Sequence, residues 1–350
     1  MESCPTLSER EELILRAVVH TYVTTAEAVG SRAIVKRLGL DLSPATVRNV
    51  MADLEDSGYV QQLHTSSGRI PTDLGYRYYV DRLMDVAELS PTERERIDHA
   101  VTQPWEDADE TMRQTCHLLA DVSHQTGMVE APAEGNAEVL RIELVSVAPN
   151  RLGVVIADTY GRIRSLMVVL DAPVSAAEVH RLNSFLNDHL PGLAFEEVIS
   201  SLVASLETLF DERRRLAERA LDILSMLPSQ RVGHMFLDGT TQLFEQPEFR
   251  DVVRIREVLS FLEERHRLAT LIRSRLRDGG SSQMLVLIGS EAQEQGFEEI
   301  SLVARPYRVG AKIVGMLGVL GPRRMPYSRM TALVDYTAES LSRHLTRIAG

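Results

Sequence analysis

Residues Leu42 to Gly58, LSPATVRNVMADLEDSG, restrict what this chain can be more than any other segment. Ser43 can accept from the free amides that open a helix, Pro44 suits its first position, and Gly58 stops it. Between those signals Val47, Val50, Met51 and Leu54 recur at helical spacing as one apolar stripe, with Ala45, Thr46, Asn49 and Asp53 on the other side. That outer face begins short-chained and polar, as a helix needs if its N-terminal residues are to approach base edges in a major groove. Taken alone, the pattern also fits an ordinary amphipathic surface helix.

The neighbouring segments favour the DNA-reading alternative. Upstream, Ser8 to Glu11 is a capping box opening a helix with apolar Leu13, Ile14, Ala17, Val18 and Tyr22. Ser31 is expected to cap a short second helix through Leu38, ended by Gly39. Helix, short helix, brief turn and third helix is the order of a helix-turn-helix. Downstream, Tyr59 to His64 and Arg69 to Pro71 flank the turn-forming Thr65 to Gly68, which predicts a hairpin wing. Arg69, just past the tip, is placed to reach a phosphate or the minor groove, or to remain a solvated hairpin cation. Thr72 is expected to cap a further helix from Asp73 to about Met84.

A formal net charge of −12 opposes nucleic-acid binding at first sight, because phosphate contacts need Lys or Arg. The distribution answers the objection: from Ser31 to Ala52 the charge is +3, from Arg32, Lys36, Arg37 and Arg48 against Asp41. A small basic patch suffices for a dimeric operator binder, while the acidic remainder repels non-specific DNA. At 350 residues the chain predicts two or three domains. No segment approaches the run of about 18 apolar residues of a membrane span, and no signal pattern opens the chain, so a cytoplasmic location is expected. Two cysteines, Cys4 and Cys116, form no C-x-x-C pair or disulfide framework. Cys116, His117 and His124 lie close in sequence without a recognised ligand spacing, and packing or surface roles suit them better than a metal.

Beyond a charged helix from Ser90 to Val101, residues Trp105 to Gln125 read as a helix and 130 to 137 as a flexible connection. Strands are expected at Val139 to Val147, Leu152 to Ala157 and Ile163 to Leu170, then at Met284 to Ile288, Ile300 to Tyr307 and Lys312 to Leu320. Between the groups lie helical stretches, Ala176 to His189, Phe195 to Leu227 and Glu248 to Arg277, broken by a short strand, Val232 to Leu237. The pattern predicts an α+β sheet unit interrupted by a mostly helical insert. Catalytic signatures are missing. Gly315, Gly318 and Gly321 lack the Lys and Ser/Thr of a phosphate loop and read as strand-to-turn glycines, and neither H-E-x-x-H nor G-x-S-x-G occurs. Glu291 is expected to be a solvated loop carboxylate, and Arg213 to Arg215 a solvated helix face. No enzyme activity, metal or cofactor is expected.

Three runs carry a family likeness: Gly30-Ser31-Arg32, the stretch Leu40 to Glu55, and His64 to Thr72. Together they resemble the bacterial HrcA family of heat-inducible transcription repressors. The likeness continues, more sparsely, through Tyr76 to Leu83, Leu237-Asp238-Gly239, Gln246 to Phe249, Ile288-Gly289, Gly318 to Pro322, Arg324-Met325 and Tyr327. Ser290-Glu291-Ala292 departs from the Glu-Asn pair expected after Ile-Gly, which weakens a ligand role there. The resemblance implies a winged helix-turn-helix, a GAF-like α+β domain and an inserted dimerisation domain. It also implies a repressor that binds an inverted-repeat operator as a homodimer, shuts off heat-shock chaperone operons, and is kept active by the GroEL chaperonin. On this basis the winged helix-turn-helix is set at residues 1–88, a linker helix at 89–104, the GAF-like domain at 105–190 and 255–350, and the dimerisation insert at 191–254.

Arg48 and Asn49 lead the expected base-reading residues, with Ser43 and Thr46 beside them and Arg69 in the wing. Arg32 and Lys36 are expected on the phosphate backbone. Two competing classes remain: a metabolite-sensing regulator whose GAF-like domain is the ligand pocket, and an enzyme built on the sheet unit. A ligand-induced rise in melting temperature separates the first, and DNA binding across salt separates the second.

Overall fold

The computed structural model describes residues 7–39, 42–62, 68–103, 108–132, 137–159, 161–206, 211–226, 234–279 and 284–349. It opens on a head of three helices, α1 (Glu9–Thr25), α2 (Ser31–Leu38) and α3 (Pro44–Asp56), followed by a hairpin of β1 (Val60–Gln62) and β2 (Arg69–Pro71). Ser8 and Glu11 form the expected capping box, and the Ser43 hydroxyl accepts from the Thr46 amide at 3.1 Å. At α2 the expectation fails. Gly30 is the cap and Ser31 the first helical residue, so no side chain caps this helix. The expected hairpin tip, Thr65 to Ser67, lies outside the described residues.

Helix α4 (Asp73–Tyr78), capped by Thr72, runs on as a π-helical turn to Leu83 and leads the chain out of the head. Glycine is required at 75: a Cβ there would stand 2.0 Å from the Tyr59 carbonyl oxygen. Next come α5 (Pro91–Thr102), α6 (Ala108–Ser123) and β3 (Thr126–Glu130). The sequence pattern did not reveal β3. All five of its residues are buried, so it shows no alternation, and it ends in a carboxylate that elsewhere would mark a surface.

The chain then leaves for a separate body: β4 (Val139–Ala148), β5 (Arg151–Asp158) and β6 (Ile163–Val169), then α7 (Ala176–His189), α8 (Phe195–Leu206) and α9 (Asp211–Ser225). It returns through β7 (Met235–Asp238), α10 (Thr240–Phe244), α11 (Val252–Glu263), α12 (Arg265–Gly279), β8 (Leu285–Ile288), β9 (Ile300–Val309), β10 (Lys312–Pro322) and α13 (Tyr327–Ala349). Among the described residues the later strands and β3 make one five-stranded antiparallel sheet in the order β7-β3-β10-β9-β8. Gly315, Gly318 and Gly321 lie inside β10 and not at its turn.

Strands β4, β5 and β6 form their own antiparallel sheet. Their inner residues Ile142, Leu144, Leu152, Val154, Ile156 and Val168 share a core with Leu182, Phe185 and Leu186 of α7 and Ala217, Ala220 and Ile223 of α9. The interruption therefore starts at the first strand of this group. The expected division at 191 falls within this shared core, because helices and sheet here bury each other's apolar faces, and the one at 254 falls inside α11.

Two features fix this body. Asn183 and Asn187, one turn apart on α7, pair with the backbone of β4: Asn183 accepts from the Leu144 amide at 2.7 Å and donates to its carbonyl at 3.0 Å. Asn187 does the same to Ile142 at 3.1 and 2.6 Å, so the edge of β4 is covered by side-chain amides acting as a strand. Arg162, buried against Asp158 at 3.0 Å, also donates to the Pro132 carbonyl at 2.7 Å and ties this body to the end of the β3 segment. The opposite face of the sheet exposes large apolar side chains, with Val145, Ile163, Met167 and Val169 48, 67, 57 and 58% exposed, beside an ion pair of Arg141 and Glu143.

Candidate nucleic-acid interface

Helix α3 buries Val47, Val50, Met51 and Leu54 against α1 and α2, which leaves Ala45, Arg48, Asn49, Asp53 and Asp56 as an exposed stripe. Its N-terminal half carries Arg48 and Asn49; its C-terminal half carries two carboxylates. Only the first half can face a polyanion without repulsion. Among the described residues neither the Arg48 nor the Asn49 side chain makes a hydrogen bond or ion pair within the chain, and the same holds for the exposed side chains of Arg32 and Lys36 of α2. Ser43 and Thr46 are more committed. Their hydroxyls lie 2.9 Å apart within the helix cap.

Arg69 is not held out from the wing. Its guanidinium lies 2.6 Å from Glu55 at the end of α3, with 19% of its side chain exposed, while its amide and carbonyl exchange 2.9 Å hydrogen bonds with Val29. Its buried Nε has no partner among the described residues. Glu55 also accepts from the Gln62 amide at 3.1 Å, so one carboxylate holds both strands of the hairpin against α3. Arg37, counted in the basic patch, is likewise used inside the head: it reaches His20 Nδ1 at 2.9 Å and Thr21 Oγ1 at 3.5 Å, joining α2 to α1.

A capped helix whose cations lack partners among the described residues, backed by two helices and braced to a hairpin, spans less than a quarter of the chain, whereas likeness to known proteins runs over nearly all of it. Residues 109–331 match the HrcA protein C terminal domain. The heat-inducible transcription repressor HrcA of Geobacter sulfurreducens is 38% identical over 342 residues, covering 97% of this chain and 98% of that protein. That of Pelotomaculum thermopropionicum is 36% identical over 344 residues, covering 98% of each. The chain belongs to the HrcA family. A crystal structure of a hypothetical protein shares the fold, with a TM-score of 0.67 at 22% identity, covering 98% of this chain and 100% of that one.

Within this HrcA-family chain the remaining sequence candidates separate clearly. Cys116 is buried, and burial pushes its thiol up to about 12, with Asp238 adding to the shift. His117 turns outward to Asp238 at 2.6 Å, and His124 closes α6 in a left-handed conformation. These three are not brought together, and among the described residues no group of three or more His, Cys, Asp or Glu could hold a metal ion. Nor, among the described residues, is any helix long and apolar enough to cross a membrane. Arg214 pairs with Glu218 along α9 at 3.2 Å. Glu291 corrects the expectation of a solvated carboxylate: it pairs with Arg77 of the head across 214 positions of sequence.

Sequence reasoning missed the internal pairings of Glu55, Arg37 and Arg77, because their partners lie on other elements and no local spacing reports them. Replacing Glu55 with Ala is expected to cost about 1 to 2 kcal/mol, from loss of a partly buried ion pair and a charged hydrogen bond. Denaturant titration of the variant checks this, and an unchanged midpoint would show that the hairpin is held by other contacts.

Proposed function

We propose that this chain is a transcription repressor that binds an inverted-repeat operator as a dimer and represses heat-shock chaperone operons. In this reading the head is a winged helix-turn-helix, the five-stranded sheet with its helices is a GAF-like domain, and the separate body is the dimerisation insert. The insert is best drawn from residue 137 to 226, where its strands and helices share one core. The head occupies residues 1–88, and the linker helix follows at 89–104.

The observation that carries the reading is that exposed Arg48 and Asn49 on the capped half of α3 stand with exposed Arg32 and Lys36 on α2, none with a side-chain partner among the described residues. Asn49 has the bidentate amide suited to adenine, and Arg48 the fork suited to guanine or a phosphate. Arg32 and Lys36 take the backbone. Arg69 acts through Glu55, placing the wing instead of reaching DNA. Ser43 and Thr46 order the start of the helix and offer their remaining hydroxyl capacity to a phosphate. Heat enters through the marginal stability of the competent state, and GroEL, as the family resemblance implies, restores the population that can bind.

Asn49→Ala is expected to weaken operator binding by about 1 to 3 kcal/mol while leaving binding to scrambled duplex unchanged. Gel-shift titration with both duplexes reads this; equal loss on both would remove Asn49 from base recognition. The same titration on warming, with and without GroEL, is expected to show occupancy falling with heat and recovering with the chaperonin. Occupancy indifferent to both would strip the heat response from the proposal.

A second copy is the occupant proposed for the face of the β4-β5-β6 sheet that exposes Val145, Ile163, Met167 and Val169. One wing domain covers little DNA, a palindromic site calls for a two-fold protein, and four large apolar side chains on one face are best buried against the same face of a partner. Met167→Asp, placing a charge at the centre of that face, is expected to turn a dimer into a monomer at micromolar concentration in sedimentation velocity. A variant that remains dimeric would move the interface elsewhere.

A further inference from the structure

Two acidic and two basic side chains lock the head to the sheet through α4. Arg77 donates from Nε to Glu291 at 2.8 Å, from Nη2 to the other Glu291 oxygen at 2.5 Å, and from Nη2 to the Val286 carbonyl at 2.7 Å. One turn earlier Asp73 accepts from the Ser290 amide at 3.0 Å, from its hydroxyl at 2.6 Å, and from Arg323 at 3.2 Å. Glu291 is itself held by the Ile288 amide at 2.9 Å, and Arg323 by Glu299 at 3.5 Å. A planar guanidinium gripped by two carboxylate oxygens and a carbonyl resists rotation as well as separation.

The receiving surface is shaped for this contact. Gly289 sits at φ +51°, and a Cβ there would lie 2.6 Å from the Asp73 carboxylate, so the space a side chain would fill is taken by the head. A second clasp springs from the next residue: Arg324 donates to the Val23 carbonyl near the end of α1 at 3.3 Å while held by Gln246 at 2.8 Å and by Glu248. Two clasps on different helices of the head, α4 and α1, fix its orientation about more than one axis.

We propose that the Asp73–Arg77 clasp on Ser290, Glu291 and Arg323 is the positioning element that selects the spacing between operator half-sites. This rests on the dimeric operator reading above. If two heads are held by one dimer, the separation and the angle of the two α3 helices are set by how rigidly each head is mounted, and DNA half-sites a base pair closer or farther present the groove rotated by about a tenth of a turn. A rigid mount rejects such sites. A loosened mount accepts them, with each head still reading its own half-site.

The test uses the full chain with Glu291→Gln, which keeps the volume and some hydrogen bonds but removes the charge, and with Gly289→Ala, which crowds Asp73 from the sheet side. Affinity is measured by fluorescence anisotropy for duplexes carrying one half-site and for inverted repeats whose spacer is varied in single base pairs. The expected result is that the unaltered protein shows a sharp optimum, whereas both variants keep single half-site affinity within about twofold and show a flattened spacing profile. An optimum as sharp as the unaltered protein's would overturn the proposal. So would loss of single half-site binding, which would assign the clasp to the fold of the head instead of its orientation. An unaltered protein that binds one half-site as well as two would instead defeat the dimeric reading, a result distinguishable because it appears before any variant is made.

Discussion

The head and the five-stranded sheet share one apolar core, and the rest of the architecture depends on that continuity. Ile14, Leu15, Val47 and Leu54 of the helices run without a break through Tyr76 and Leu83 to Tyr327, Met330, Leu333 and Leu345 of the last helix. Tyr76 and Tyr327, both almost fully buried, meet at a ring separation of 5.8 Å, and the Tyr327 hydroxyl lies 2.9 Å from Ser301 on β9. Pulling the head away would return these rings to water at about 2 to 3 kcal/mol for each large side chain. The polar clasps therefore act on a mount that hydrophobic burial already holds in place. They contribute direction more than strength, which is what hydrogen bonds between charged groups do well.

Charge is arranged with similar economy. The chain carries an excess of acid, yet among the described residues the cations of α2 and the first half of α3 have no internal partners, except for Arg37, which is engaged within the head. Asp53 and Asp56 stand on the same exposed stripe as Arg48 and Asn49 but toward the other end. A polyanion lying along this helix meets attraction at one end and repulsion at the other. The exposed stripe of α3 thus has an electrostatic polarity that does not depend on any single contact.

What the sequence revealed is what local chemistry controls. The Ser8 and Ser43 caps, the stripe of Val47, Val50, Met51 and Leu54, and the alternation of β5 all follow from spacing within one element. What it concealed depends on distant partners. Strand β3 lacks alternation because both its faces are covered, Arg69 turned inward because Glu55 awaits it on another element, and the extent of the interrupting body follows from a core that β4 to β6 share with α7 and α9. Glu291 resembled a surface loop residue because nothing within its own segment signals Arg77, far upstream in the chain.

The place where the second body is spliced in has a consequence for the family's construction. Strands β3 and β7 are neighbours in the sheet, antiparallel, with Glu130 opposite Met235, so the chain departs and returns at adjacent points of one ladder. Everything between them hangs from a site where a short hairpin loop would close the same sheet with little added entropy. The insert is thus topologically optional: it can be exchanged, enlarged or lost in evolution without disturbing strand order. The five-stranded unit can serve as a chassis on which the inserted body changes independently of the head.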